Sequence, residues 1–253
     1  MRTGLTIAGL PLMDDYSMAL ETNGRGFIGF VVELPGAFVR GRSESEILSK
    51  VGIEAKSYLN WLGIQQASLG RGHVVQRHFC QLTVEDADSE ILLTADKNPM
   101  NGEEFDRLAE IVLLSGKTFT SLYNQCQLKN WVDAARIRRT FYGENPASIQ
   151  AIFNHVDSTQ RYYLSRVGLD VAQGQSFLDT RGLSLEKIGE LHRRKNNSLV
   201  YRVEGESWTV KKVLRRLVWH DRIHGKAITR ILAKQKGLGL IREYEDSFHL
   251  GLV

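Results

Sequence analysis

The apolar residues of this chain change their spacing once, near residue 97, and that change limits the folds open to it. Before it, they gather in short β-branched and aromatic runs punctuated by glycine. After it, they recur every three or four residues over long stretches, the period of an amphipathic helix. Tyr16 to Glu21 is followed by the turn former Gly24-Arg25-Gly26, and Phe27 to Glu33 reads as a second strand. Leu34-Pro35-Gly36 breaks that run and Ala37 to Arg40 resumes it. Ser43 and Glu46 have capping-box spacing, and Ile47, Val51, Ala55, Tyr58 and Leu62 share a helical face that stops at Gly63. His73 to Thr83 reads as a further strand. The turn formers Asn98-Pro99 and Asn101-Gly102 mark the boundary. An α+β protein is therefore expected, with residues 1–97 as a small αβ domain and 98–253 as a helical one.

The run Gly26-Phe27-Ile28-Gly29-Phe30-Val31-Val32-Glu33-Leu34-Pro35-Gly36, with Gly41 and Ser43 after it, resembles the small domain of HicB antitoxins. The resemblance covers roughly residues 14–63. It implies a small sheet with one helix and a role in binding a partner protein. The DNA-binding tail that many HicB antitoxins carry is not seen.

Four helices are expected beyond the boundary. The first runs from about Glu103 to Cys126, with Phe105, Leu108, Val112, Ser115, Phe119 and Leu122 on one stripe. The second is expected to open at Asn145-Pro146, an N-cap followed by proline, and to end at Gly168. The third is read as short, Ser184 to Lys195, and the fourth runs from near Thr209 to just before Gly237. Helices joined in this way suit an antiparallel bundle. The long connection from Cys126 to Asn145 is expected to hold a helical turn of its own.

Composition narrows the function classes. The chain has 253 residues, 42% hydrophobic and 25% charged, as in an ordinary soluble globular protein. No apolar run is long enough to span a bilayer, and no charged segment leads into an apolar one at its start, so a cytoplasmic location is expected. The net charge of +4 raises the question of nucleic acid. The basic clusters are Arg136-Ile137-Arg138-Arg139, Arg193-Arg194-Lys195, and Lys211-Lys212 with Arg215-Arg216. They are short and read as solvated surface, and no nucleic-acid-binding motif accompanies them. Cys80 and Cys126 have no metal-ligand spacing and read as buried free thiols.

The fourth helix holds the candidate chemistry. Its apolar stripe runs Val213, Leu217, then Ala227 or Ile228, and Ile231, and the positions between are His220 and His224. Residues at i and i+4 lie one turn apart, so both imidazoles reach one point. On a core-facing stripe each also needs a polar partner. A metal ion satisfies both; so does a hydrogen bond to each, which is the ordinary fate of a core histidine. His155, three residues after Ile152 and beside Val156, sits at the edge of the second helix's inward face and offers a third ligand. Three histidines leave coordination positions open, as in catalytic rather than structural sites. Asp157 and Asp221 flank the ligand positions and read as surface charge. His73 and His78 fall in the strand region, His192 reads as solvent-facing, and His249 lies near the C-terminus.

Pro146-Ala147-Ser148-Ile149 leading to Phe153-Asn154-His155-Val156, then Trp208-Thr209-Val210, Leu214 and His220-Asp221-Arg222-Ile223-His224-Gly225, resemble the DinB superfamily of four-helix bundles. The resemblance covers roughly residues 101–235 and includes all three histidines. It implies a divalent metal, zinc or nickel, bound by His155, His220 and His224. It further implies a homodimer and, as in some members, a thiol S-transferase acting on a small-molecule substrate. The resulting expectation is a metal-dependent enzyme of transferase or hydrolase type. The alternative is a non-enzymatic metal-binding regulatory protein that uses its HicB-like region to bind a partner.

Overall fold

The computed structural model describes residues 13–65, 69–195 and 199–251. The start of the chain, where no leader segment is expected, lies outside the described residues. Strands β1 (Asp15–Thr22), β2 (Phe27–Val31) and β3 (Phe38–Gly41) form an antiparallel meander. Helix α1 (Glu44–Trp61) then crosses to β4 (Arg71–Phe79), which pairs parallel with β1, giving the order β3-β2-β1-β4. Ser43 caps α1 by accepting from the Glu46 N–H at 3.2 Å, while the Glu46 carboxylate takes the Arg42 N–H at 2.7 Å. Gly63, at φ +77°, closes the helix with the paired bonds Ile64 N to Leu59 O and Gly63 N to Asn60 O.

Period-two alternation gives the sheet two apolar faces. Met18 and Leu20 face Ile47 and Val51 of α1. Ala19, Ile28, Phe30 and Phe38 face Val84, Ile91, Leu93 and Trp219 of the last helix. The helical region comprises α2 (Gly102–Gln125), α3 (Ile149–Ser165), α4 (Phe177–Lys195) and α5 (Val210–Gly237). Helices α4 and α5 each pack against both α2 and α3. One buried apolar cluster runs through both regions, joining Leu34 and Tyr58 to Leu108, Ile111 and Leu214. Among the described residues no helix is long and apolar enough to cross a membrane.

Two helix starts differ from the sequence expectation, and two connections hold hairpins. Helix α3 begins at Ile149, because Ser148 Oγ accepts the Ala151 N–H at 3.1 Å, whereas the Asn145 amide is engaged with the Arg136 carbonyl at 2.7 Å. Helix α4 begins at Phe177 rather than Ser184, because Ser176 Oγ accepts from the Asp179 N–H and donates to its carboxylate. The connection before α3 holds the expected helical turn at Ala134–Arg136, and also a hairpin of β5 (Arg139–Thr140) and β6 (Gly143–Glu144). A second hairpin, β7 (Tyr201–Val203) and β8 (Glu206–Trp208), precedes α5.

The largest correction concerns charge. Lys212, Arg215 and Arg216, expected in solvent, are buried, and so are Asp221 and Arg222. From Lys212 to Arg222, α5 lies between the sheet and the other helices, so its polar side has no water to face there. Each charge has a protein partner instead: Lys212 with Glu206 at 2.8 Å, Arg215 with Asp96 at 2.7 Å, Arg222 with Glu54 at 2.8 Å, and Asp221 with Arg181 at 2.8 Å. Arg216 donates to the Ser89 carbonyl. One further expectation shifts with it. His192 stacks on Phe105, ring centroids 4.6 Å apart, rather than facing solvent. Arg193 and Arg194 remain exposed, as expected.

The Leu34-Pro35-Gly36 turn is where the sheet touches α5. Gly36 sits at φ +89°, and a β-carbon there would lie 2.6 Å from Val218 Cγ1 and 2.8 Å from the Trp219 backbone nitrogen. Gly36→Ala is therefore expected to destabilise the protein by about 2–5 kcal/mol, from positive-φ strain and overpacking together. The urea unfolding midpoint measures it; a midpoint equal to wild type would contradict this seating of the turn.

Candidate metal centre

His155 reaches the site because α3 buries Ile149, Ile152, Val156, Gln160 and Tyr163 along one stripe, and His155 sits beside that stripe, half-buried, facing α5. The start of α3 is held by main-chain bonds to the preceding loop, Asp133 N to Ala147 O and Gln150 N to Lys129 O. On α5, His220 is buried and His224 half-buried one turn later. The three imidazoles meet in space. Nε2 of His155 and Nε2 of His220 are 3.2 Å apart, and one ligand nitrogen from each histidine lies within 4.8 Å of the others. Ring centroids are separated by 5.1 Å (His155–His220), 4.8 Å (His155–His224) and 4.4 Å (His220–His224).

The donor set fits a divalent ion. Metal–nitrogen bonds of about 2.0–2.1 Å at tetrahedral angles place ligand nitrogens about 3.3–3.4 Å apart, close to the observed His155–His220 spacing. Among the described residues His224 has no side-chain hydrogen-bond partner, which leaves a ring nitrogen available. Burial holds the protonation of all three below the ordinary imidazole value. For His220 the neighbouring His224 and His155 add to burial; for His224, His155 and Arg136 do so. Neutral imidazole is the form a metal takes.

Aromatic rings and a loop complete the surroundings. Tyr142, in the loop between β5 and β6, stacks on His155 at 5.1 Å, and Tyr163 meets His220 edge-on at 5.6 Å. Neither residue was marked by the sequence: Tyr142 lies in a connection without periodicity, and Tyr163 is one aromatic position among several on α3. The flanking carboxylates do not touch the histidines. Asp157 accepts from Gln160 and Gln173. Asp221, read as surface charge, is fully buried and bound by Arg181 and Ser115, because it points away from the site into the contact with α2 and α4. On its open side the triad borders a cleft of ≈ 1600 Å³ between the sheet and the helices.

A second group, Glu21, His78 and Glu90, also brings ligand atoms within 4.8 Å. Its buried carboxylate is already taken. Glu21 accepts from Ser89 Oγ, from Glu90 N at 2.9 Å and from Ile91 N at 3.1 Å, so it locks the turn after β4 onto the sheet. Cys80 and Cys126 are buried free thiols, each pushed up to about 11 by burial. No protein-family model, no curated protein and no solved structure matches this chain.

The depressed histidines set the pH dependence of the metal-free protein. An unfolded histidine takes up its proton near pH 6.5, while folded His220 and His224 resist it to much lower pH. Below that value the unfolded state binds more protons, so stability falls as the pH drops from about 7 to 5. Urea midpoints of chelator-treated protein at the two pH values should show this fall, and the double variant His220→Gln, His224→Gln should flatten it. An undiminished fall in the double variant would assign the effect elsewhere.

Proposed function

We propose that this protein is a metal-dependent enzyme of the DinB kind. In this reading α2–α5 form its four-helix bundle, and zinc or nickel is held by His155, His220 and His224. The observation that carries the reading is the convergence of three neutral imidazoles from two helices onto one point that opens to a large cleft. An ion held there would act as a Lewis acid, lowering the pKa of a coordinated thiol or water so that a nucleophile exists at neutral pH.

The chain's own groups supply the rest. His220 and His224, one turn apart on α5, set the spacing of two ligands, and His155 fixes the third from α3. Tyr142 and Tyr163 restrict the imidazole planes by ring contact. Among the described residues no carboxylate touches the triad, so in this reading proton transfer falls to the attacking group and to solvent in the cleft. That favours a nucleophile whose proton leaves on coordination, as a thiol's does, over chemistry that needs a protein general base. A small thiol as co-substrate suits the reducing cytoplasm, where Cys80 and Cys126 remain free. The sheet region, HicB-like in this reading, forms one wall of the cleft.

Metal content is the direct test. Wild-type protein loaded with zinc or nickel and then desalted should retain about one ion per chain, and His220→Ala and His155→Ala should each lose most of it. Equal content in wild type and both variants would remove the site. Thiol conjugation to an electrophilic acceptor, followed with and without the ion, tests the chemistry separately. A fully loaded protein with no metal-dependent conjugation would limit the reading to metal binding.

A further inference from the structure

The cleft beside the histidines is lined by an excess of cations drawn from three elements: Arg40 from β3, Arg136 from the loop before α3, and Lys226 and Arg230 from α5. Other cations on its walls are matched, or lie near a carboxylate. Arg138 pairs with Asp86 at 2.5 Å, Arg25 with Glu85 at 3.2 Å, and Arg216 lies 3.7 Å from Glu206. Arg40, Arg136, Lys226 and Arg230 have no carboxylate within ion-pair reach among the described residues. Arg40 and Arg136 each donate to a main-chain carbonyl, of Glu85 at 3.1 Å and of Pro146 at 3.2 Å, which steadies them without cancelling their charge.

These cations feel one another. The Arg40 guanidinium is held below its ordinary value by burial first and by Arg230 next, with Asp86 partly opposing them. Burial also lowers Arg136, with Tyr142 and Asp133 opposing it and Arg138 and Arg230 adding to it; burial lowers Lys226, with Glu54 opposing and Arg230 adding. Like charges gathered at a half-buried wall repel unless an anion joins them. Three neutral histidines add no negative charge to offset a divalent ion beside them. Buried donors on the same walls also lack acceptors, namely the ring N–H groups of Trp208 and Trp219 and the Nε–H of Arg216.

We propose that the cleft binds a small molecule bearing an oxyanion, a carboxylate or a phosphate ester, whose charged group is held by Arg40, Arg136 and Arg230 while its reacting end lies at the three histidines. Guanidinium groups are suited to this, since each presents paired N–H donors to two oxygens. The inference rests on the metal-centre reading for the position of the reacting end, but not for the anion site itself. It gives the sheet region a task in the same reaction, because Arg40 comes from β3.

Calorimetric titration of the purified full-length protein with inorganic phosphate and with succinate tests it, in metal-loaded and in chelator-treated samples. At least one ion should bind to both samples, and Arg40→Gln and Arg230→Gln should each weaken it by about tenfold or more. Arg230→Lys, which keeps the charge, should recover part of the loss. Lys117→Gln, an exposed change on α2 away from the cleft, should leave binding unaltered. Which ion binds more tightly distinguishes a phosphate ester from a carboxylate. Failure of both ions to bind wild type, or affinities unchanged in Arg40→Gln and Arg230→Gln, would overturn the proposal. So would a double-stranded oligonucleotide that binds far more tightly than either ion and loses affinity in the same variants. Anion binding by protein that takes up no metal would leave this site standing and remove the metal centre; metal uptake without anion binding would do the reverse.

Discussion

Helix α5 carries Lys212, Arg215, Arg216, Asp221 and Arg222 into the protein interior, and a charge taken out of water is tolerable only with its partner in place. Those partners are spread over the whole chain. Glu54 comes from α1, Asp96 from the turn before α2, Arg181 from α4, and Glu206 from the hairpin ahead of α5 itself. Ion pairs of this kind are weak net sources of stability. They are strong constraints on arrangement, because a shift of α5 by one turn would strand several charges at once. Aromatic rings reinforce the same seating. Trp219 meets Phe30 and Phe38 of the sheet edge-on, at 5.9 and 6.2 Å, and the Arg222 guanidinium lies 4.8 Å from the Tyr58 ring centre.

The seating of α5 fixes the candidate chemistry. His220 lies between Trp219, which faces the sheet, and Asp221, which faces α2 and α4. Its own direction is thereby set toward α3, where His155 waits. The imidazoles gain their geometry from neighbours in sequence that are anchored in opposite senses, so no carboxylate is needed to orient them.

Much of this was legible in the sequence where a local rule decides the outcome. Capping by Ser43, the stop at Gly63, the helix start near Thr209 and the stripes of α2 and α5 follow from residue type and spacing alone. The pairing of His220 with His224 was legible for the same reason. Other features depend on what lies opposite. The buried basic cluster of α5 looks like a solvated face, because a helix's polar side and a helix's ion-paired side have the same period. Asn145-Pro146 is as good a helix opening as Ser148 until the Arg136 carbonyl claims the asparagine. Ser176 and Asp179 did carry the signal for α4, with Phe177 and Leu178 opening its first turn. Tyr142, Arg40 and Arg136 could not be read as site residues, since strand and loop reach the cleft only through the tertiary fold.

The close approach of Gly36 to Val218 and Trp219 has a bearing on how such a chain could be divided. Although the hydrophobic period changes cleanly near residue 97, the turn that follows β2 abuts the backbone one residue before a candidate ligand. A gene fragment beginning after that change would leave Arg215 without Asp96 and Arg222 without Glu54, and would expose Trp219 to water. The change of period is thus a seam in the sequence only. In recombination or dissection, the strand-rich and helix-rich regions would have to travel together.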